Sequence, residues 1–322
     1  MIITRTPFRV SFAGGGSDLR EFYNKNGYGA VVSAAIKKYM YIIIHPYFHE
    51  KIRIKYSSTE DVYNIDEIKH PIVRECLKKV HINSGIEIAS FADVPAGTGL
   101  GSSSAFTVGL LNALYAFQGK IVSKERLAKE ACEIEIDILG EPIGKQDQYA
   151  VSYGNINYIR FNKDETVDVS PILVSVEKRR SLEQSLQLYY TGGSRSASSI
   201  LTEQKNSLAN KFNYNLIKDM TKLADKLLEF INDGEIAQLG SVLHKGWLLK
   251  REVSSGITND NIDSFYHKAM ELGASGGKLL GAGGTGFLLI YADNHDIIKT
   301  ELGCRYFPFE IDTSGSKVIF YD

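Results

Sequence analysis

A glycine- and serine-rich run in the first half of the chain most constrains its fold. From Pro95 to Ala105 the sequence reads P-A-G-T-G-L-G-S-S-S-A, and a largely apolar run continues to Phe117. This order predicts a glycine loop that leads into a buried helix, with a serine as its N-cap and Gly119 at its end. Free N–H groups and the positive end of the helix dipole make such a junction a candidate anion site. A tight turn that only caps the helix would fit the same run, so other motifs must decide.

Length and composition limit the kind of protein this is. A chain of 322 residues with 43% hydrophobic residues can form two domains or one large one. A net charge of -1 gives no general signature of nucleic-acid or membrane binding. Cys76, Cys132 and Cys304 lie far apart, so we expect reduced thiols and neither a disulfide nor a zinc site. No signal peptide or membrane-spanning run is visible in the sequence, so we expect a cytoplasmic protein.

The periodicity of apolar residues gives the order of the elements. It predicts strands over residues 2–14, 30–46, 52–56, 86–92 and 156–161, and helices over residues 71–80 and 123–140. The composition changes near Pro171, and the following segments are a charged stretch, a strand at 186–191, a mostly helical stretch at 196–272, a strand at 287–291, a short helix and two short strands. This pattern predicts an α+β protein with domains at 1–173 and 174–322 and a cleft between them.

Several common nucleotide-binding signatures are excluded by the sequence. Lys145 and Lys278 each follow a glycine, but neither precedes Ser or Thr, which excludes a Walker A loop. The segment from Gly281 to Gly286 matches G-x-G-x-x-G, but a predicted strand follows it where the dinucleotide motif requires a helix. The H-R-D and D-F-G signatures of protein kinases do not occur.

Three motifs in a fixed order resemble those of the GHMP kinases, the family of galactokinase, homoserine kinase, mevalonate kinase and phosphomevalonate kinase. The run 95–105 is similar to the motif P-x-G-x-G-L-G-S-S-[SA]-A, residues 6–18 to the first motif, and residues 278–289 to the third. Together they span nearly the whole chain. The resemblance implies an N-terminal domain like domain 2 of ribosomal protein S5, a ferredoxin-like C-terminal domain, and an active site between them.

Within this family the chain is similar to the D-glycero-D-manno-heptose 7-phosphate kinases of GDP-heptose synthesis. The segments that carry this likeness are 8–18, 140–148, 191–197 and 254–258. The likeness implies ATP-dependent phosphorylation of the anomeric C1 hydroxyl to the 1,7-bisphosphate, for a bacterial capsule or other surface polysaccharide. Fucokinases have similar segments, so a fucokinase-like or other monosaccharide 1-kinase stays open, as does a non-catalytic sugar-binding regulator. ATP and Mg²⁺ are the implied cofactors, a sugar phosphate is the implied partner, and a homodimer stays open.

The resemblance also assigns the catalytic, ATP-binding and metal-binding residues. Asp147 is expected beside the acceptor hydroxyl, with Arg9 orienting it and Lys145 near enough to keep it ionised. Glu135, twelve positions before Asp147, and Ser103 are the expected Mg²⁺ ligands. The ATP phosphates are expected on Pro95, Gly97, Thr98, Gly99, Gly101, Ser102, Ser103 and Ser104. Ordinary surface or turn positions for Asp147, Glu135 and Arg9 are the alternative interpretation.

A phosphorylated sugar needs hydroxyl contacts and cations. The residues expected to bind the sugar are Gly15, Gly16, Ser17, Asp18, Gly283 and Gly284. Gly15 and Gly16 replace the acidic and histidine positions of galactokinase, which argues against galactose. Arg195 is the first candidate for the phosphate of the acceptor. Lys250 and Arg251 are weaker candidates, and a solvated helix face is the favoured interpretation for both. Family position points to residues 56–61 and 67–71 for adenine.

Overall fold

The computed structural model describes residues 1–193, 202, 203, 205 and 208–322, and Arg195 lies outside them. Its strands are β1 (Ile2–Ala13), β2 (Tyr28–Pro46), β3 (Ile52–Lys55), β4 (Thr59–Val62), β5 (Ile86–Ala92), β6 (Ile156–Asn162), β7 (Val167–Pro171), β8 (Leu186–Tyr190), β9 (Gly276–Leu279), β10 (Phe287–Tyr291), β11 (Tyr306–Pro308) and β12 (Lys317–Tyr321). Its helices are α1 (Arg20–Asn26), α2 (Pro71–Val80), α3 (Ser102–Phe117), α4 (Lys124–Cys132), α5 (Gln146–Tyr153), α6 (Val176–Ser185), α7 (Lys211–Asn232), α8 (Gln238–Arg251), α9 (Asp260–Glu271) and α10 (Asp296–Leu302).

Two sheets organise these elements. In the first, the strand order is β12-β1-β2-β5-β3-β4, and β6 pairs with β2 and β7 with β6. The second has the order β11-β8-β10-β9 and carries helices of the C-terminal half. The predicted α+β organisation is therefore confirmed. The last strand, β12, returns to pair with β1 in the first sheet, so the first sheet is completed from the end of the chain.

Helix α3 is the central helix of the first layer. It packs against β1 and β2, and its buried side chains lie on all sides of the helix, as expected for a mostly apolar sequence inside a core. Its N-terminus follows the glycine loop, as the sequence predicts. The packing of α3 on β1 places the loop beside the middle of that strand, where the Arg9 N–H donates to the Leu100 carbonyl at 3.0 Å.

The helix predicted over residues 123–140 is corrected in its second half. Ser123 caps α4 as predicted, because its hydroxyl accepts from the Arg126 N–H at 3.2 Å. However, α4 ends at Cys132, and one π-helical turn, Glu133–Ile138, follows. A π turn widens the helix and shifts the side chains that come after it relative to an α-helical stripe. This turn carries Glu135 into the interior.

Other short elements were not predicted from the sequence. These are α1, α5, α6, β4, β7 and β9. Helix α5 begins at Gln146, and β9 contains Lys278, which the sequence placed in a loop. Within the described residues, no helix combines the length and the apolar character that crossing a bilayer requires.

Candidate active site

The glycine loop ends at an uncapped helix N-terminus. Gly101 is the N-cap of α3, with a left-handed φ of 74°, and no side chain caps the helix. The serine cap predicted from the sequence is therefore wrong. The first N–H groups of α3, at Ser102, Ser103 and Ser104, have no acceptor one turn earlier in the helix. They form the kind of anion site that binds phosphate.

Arg9 and Asp147 form a bidentate ion pair beside this loop. Arg9 Nε donates to Asp147 Oδ1 and Nη2 donates to Oδ2, each at 2.7 Å. Arg9 Nη1 donates to the Gly99 carbonyl at 2.6 Å, so one guanidinium binds both the loop and the carboxylate. Side-chain exposure is 7% for Arg9 and 23% for Asp147, which leaves the carboxylate partly accessible to solvent.

Gly101 is the point at which the loop meets this pair. A Cβ added to Gly101 would lie 3.1 Å from Arg9 Cγ and 3.2 Å from Asp147 Oδ2. Asp147 reaches this point because it lies in the first turn of α5. The sequence motif and the two predicted catalytic residues are thus brought together from β1, the loop and α5.

Lys145 is placed differently from the sequence-based expectation. Its ammonium contacts the Glu165 carboxylate and lies over the ring of Tyr23, at 5.2 Å from the ring centroid. The cation that holds Asp147 is Arg9. Glu165 lies in the turn between β6 and β7, a partner that no local sequence pattern indicates.

Ser103 and Glu135 are brought together as predicted. Ser103 Oγ donates to Glu135 Oε1 at 2.7 Å, and Ser104 Oγ and Gln148 Nε2 donate to Oε2 at 2.9 Å and 2.6 Å. Glu135 is only 1% exposed, and burial raises the pKa of its carboxyl. Ser103 itself is exposed.

This donor set fits Mg²⁺. The cation prefers a few hard oxygen ligands and completes its shell with phosphates and water. A buried carboxylate next to an exposed hydroxyl supplies two such ligands, and Gln148 Oε1 is buried without a hydrogen-bond partner. Within the described residues there is no cluster of three or more acidic, histidine or cysteine side chains.

The loop after β1 is partly occupied by structural contacts. Ser17 is fully buried, and its hydroxyl donates to the Ala30 carbonyl and accepts from the Ala30 N–H. The predicted sugar contact of that hydroxyl is therefore corrected. Gly15 and Gly16 are half-buried, and a Cβ on Gly15 would meet nothing within 4 Å, so space exists there for a ligand.

Asp18 connects this loop to α5. Its carboxylate accepts from the Gln146 N–H at 3.1 Å and from Gln146 Nε2 at 2.9 Å. Burial, and then the charge of Asp147, raises the pKa of Asp18 to about 6. Asp18 thus holds the start of the helix that carries Asp147, a contact that the sequence did not predict.

The third glycine motif packs directly on the glycine loop. A Cβ on Gly281 would lie 2.4 Å from Gly99 Cα, and one on Gly286 would lie 2.4 Å from the Thr98 carbonyl oxygen. Backbones can approach this closely only where side chains are absent. The match of 281–286 to a dinucleotide motif is explained by this contact between two loops.

Gly283 and Gly284 were predicted to bind sugar. A Cβ on Gly283 would lie 2.7 Å from Ile257 Cα. The Gly284 N–H donates to the Ile257 carbonyl at 2.9 Å, and its carbonyl accepts from Asn259 Nδ2 at 3.0 Å. Both backbone groups of Gly284 are thus used within the protein. The prediction that Gly284 binds sugar is therefore wrong, and this residue packs the loop against residues 257–259.

A pocket of about 630 Å³ lies beside the start of the glycine loop. Tyr56, His70 and Phe106 are the aromatic residues that line it, and Pro95 and Ala96 also line it. The rings of His70 and Phe106 are stacked with centroids 5.0 Å apart. A flat heterocycle fits such a wall, and parts of both segments that family position indicated for adenine line it.

Comparisons with known proteins identify the family of this chain. The profile of the GHMP kinases N-terminal domain matches residues 68–155, and that of the GHMP kinases C-terminal domain matches residues 224–308. A D-glycero-alpha-D-manno-heptose 7-phosphate kinase of Campylobacter jejuni is 30% identical over 92% of this chain and 92% of its own. A galactokinase of Pyrococcus furiosus is 28% identical over 93% of this chain and 91% of its own.

The fold has the same relatives. The crystal structure of a D-glycero-D-manno-heptose 1-phosphate kinase from Bacteroides thetaiotaomicron superposes with a TM-score of 0.80 at 22% identity, over 100% of both chains. At that identity the superposition shows the fold alone. With both family profiles matched and a full-length relative at 30% identity, the chain belongs to the GHMP kinase family.

Proposed function

We propose that this chain is an ATP- and Mg²⁺-dependent kinase of D-glycero-D-manno-heptose 7-phosphate. It phosphorylates the anomeric C1 hydroxyl to give the 1,7-bisphosphate, in GDP-heptose synthesis for a bacterial surface polysaccharide. The observation that carries the kinase chemistry is the convergence of Asp147, Arg9 and Gly101 at the uncapped N-terminus of α3. The substrate is inferred from the 30% identical relative.

The reacting groups meet between the glycine loop and α5. The C1 oxygen bonds to the terminal phosphorus of ATP while the bond from that phosphorus to the bridging oxygen of ADP breaks. The hydroxyl proton passes to the carboxylate of Asp147, which Arg9 orients through two hydrogen bonds. Because phosphoryl transfer depends mainly on positioning and charge, the guanidinium also stabilises the charge that develops on the transferred group.

The nucleotide occupies the loop and the neighbouring aromatic pocket. The phosphates lie on the N–H groups of residues 101–104, and the adenine lies against Tyr56, His70 and Phe106. Ser103 and Glu135 would hold Mg²⁺, which when bound would neutralise phosphate charge. Burial makes the Glu135 carboxylate costly to ionise alone, and a cation offsets that cost.

The acceptor lies on the side of Asp147 that faces the loop after β1. Gly15 leaves room there for the sugar ring, and Asp18 keeps α5 in place. Arg195 stays the predicted partner of the resident phosphate of the acceptor. A cytoplasmic location and a homodimer stay predictions of the sequence.

Phosphorus NMR tests the proposal directly. The protein is incubated with ATP and Mg²⁺ and, in separate tubes, with D-glycero-D-manno-heptose 7-phosphate, fucose, galactose or mannose. A new anomeric phosphate signal in the heptose tube alone is the expected result. A product formed only from a free monosaccharide would contradict the substrate and favour a monosaccharide 1-kinase. Sugar binding without product in any tube would favour a regulator.

A further inference from the structure

Two buried lysines from the C-terminal half lie at the junction of the two glycine loops. Lys250, near the end of α8, is 8% exposed, and Lys278, in β9, is 5% exposed. The Lys250 ammonium donates to the Gly281 carbonyl. The sequence-based expectation that Lys250 lies on a solvated helix face is therefore wrong.

The two lysines belong to one cluster with Arg9. Gly281, which accepts from Lys250, lies against Gly99, and the Gly99 carbonyl accepts from Arg9 Nη1 at 2.6 Å. Lys278 lies three residues before Gly281 and leads into the same loop. Arg9 and Lys250 thus contact the two loops from β1 and α8, and Lys278 lies in β9, which leads into the second loop.

The charges of this cluster do not balance. Asp147 is the carboxylate that pairs with Arg9, and both of its oxygens are used. In the described part of the chain, neither lysine has a carboxylate within salt-bridge distance. Protonation of a buried lysine that has no carboxylate partner is costly unless an anion is bound. A site with three basic side chains and one carboxylate favours a ligand with several negative charges.

The charges also act on one another. Burial, and then the charge of Arg9, lowers the pKa of Lys250 to about 8. Burial, and then the charges of Lys250 and Arg9, lowers the pKa of Lys278 well below its ordinary value. An anion bound among them would raise both pKa values and draw protons onto the lysines.

We infer that Lys250 and Lys278, together with Arg9, bind the terminal phosphate of the nucleoside triphosphate, an assignment that rests on the proposed kinase function. The terminal phosphate must lie between the glycine loop and Asp147. Arg9 contacts both of these, so the cluster lies at the same place. The resident phosphate of a heptose 7-phosphate is at the opposite end of the sugar from the reacting hydroxyl. The cluster is therefore assigned to the transferred group.

The test compares a non-hydrolysable ATP analogue with ADP in titration calorimetry. Lys250→Met and Lys278→Met retain side-chain length without charge, and Lys245→Met is the matched control because Lys245 is exposed on the same helix. We expect each of the first two variants to reduce the preference of the protein for the analogue over ADP by about tenfold or more. Lys245→Met should keep the wild-type preference.

The outcomes separate the possible explanations. An unchanged preference in folded Lys250→Met and Lys278→Met would overturn the assignment. A variant that keeps the nucleotide preference but no longer distinguishes heptose 7-phosphate from free heptose would also overturn it, because the lysines would then bind the resident phosphate. A wild-type protein with no affinity for either nucleotide would overturn both this inference and the proposed function.

A measurement on the wild-type protein needs no variant to fold. Titration near pH 8.5 in buffers of different ionisation enthalpy gives the number of protons taken up on binding. We expect the ATP analogue to cause more proton uptake than ADP, because only the analogue brings a terminal phosphate to the lysines. Equal uptake with both nucleotides would contradict the inference.

Discussion

At the scale of single residues, Asp147 has the contacts expected of the group that receives the proton. Replacing Asp147 by Asn keeps the size of the side chain but removes the charge and the basic oxygen. We expect turnover to fall by roughly 100- to 10,000-fold, because positioned proton transfer contributes that much. Binding of a non-hydrolysable ATP analogue should change little. Steady-state kinetics and calorimetry measure both quantities.

The matched control is Asp137→Asn. Asp137 also pairs with an arginine, Arg20, but both of these side chains are more than 40% exposed. Its replacement should leave turnover within a small factor of the wild type. Turnover of the Asp147 variant within tenfold of the wild type would exclude Asp147 as the group that accepts the proton.

The raised pKa of Asp18 predicts that the stability of the protein depends on pH. The pKa of this carboxyl is about 6 in the folded state against 3.8 for an ordinary aspartate, so the folded state holds its proton more tightly. Stability from this group is complete below about pH 4 and is lost as the pH rises through about 6. The shift corresponds to roughly 3 kcal/mol. In Asp18→Asn, this part of the decrease should be absent.

Urea unfolding of both proteins between pH 4 and pH 7 checks this expectation. Other carboxyl groups titrate in the same range, so the informative quantity is the difference in unfolding free energy between the two proteins at each pH. A constant difference across the range would show that Asp18 does not retain its proton in the folded state.

The sequence predicted some residues of the site and not others for a physical reason. Ser103, Glu135 and Asp147 were predicted because the family motifs and their spacing specify these residue types, whereas the glycine N-cap of α3 and the π turn were not predicted. The partner of Lys145 and the burial of Lys250 depend on segments far apart in the chain. Periodicity reports which residues share a face of one element, but not which charges meet across the fold.

At the scale of elements, the contact between the two glycine loops can be tested by one methyl group. A Cβ on Gly281 would lie 2.4 Å from Gly99 Cα, so Gly281→Ala must push the loops apart. We expect a loss of about 1–3 kcal/mol of unfolding free energy beyond the cost of the left-handed backbone. The displaced loop should also weaken nucleotide binding. Thermal melting and calorimetry give the two readings.

Gly119→Ala is the control for backbone strain. Gly119 has a φ of 70°, against 72° for Gly281, but a Cβ there would meet nothing within 4 Å. The two variants therefore share the strain and differ in the clash. Equal losses of stability would mean that the close approach of the loops contributes nothing.

The elements themselves were predicted unevenly. Long strands and α3 were found because their apolar residues repeat over many positions. The π turn was missed because the apolar residues continue at helical spacing through Ile138, and only the backbone reveals the change: the Leu139 N–H donates to Ile134, five residues earlier, at 3.0 Å. Helix α5, with eight residues, is too short for periodicity to define.

At the scale of the whole molecule, the chain closes on its first sheet. Strand β12 pairs antiparallel with the start of β1, from Ile2 to Arg5. Ser316, just before β12, shares a hydrogen bond with Thr6 at 2.8 Å and accepts one from Asn112 at 3.0 Å. A division at residue 173 stays a prediction, and a fragment cut there would lack this edge of its sheet. The sequence predicted the last strand but could not indicate its distant partner.

Removal of residues 317–322 tests how much this closure contributes. The deletion exposes the outer edge of β1 and removes the β12 ladder, so we expect the melting temperature to fall by roughly 4 °C or more. Arg9 lies beyond the paired part of β1, opposite Ala35 of β2, so turnover well below the melting temperature should stay near the wild-type value. Asp322→Ala is the control, because it keeps both backbone hydrogen bonds between this residue and Met1, and it should have a much smaller effect on melting. An unchanged melting temperature would show that β12 does not stabilise the first sheet. A large loss of turnover at low temperature would show that β12 also supports the position of Arg9.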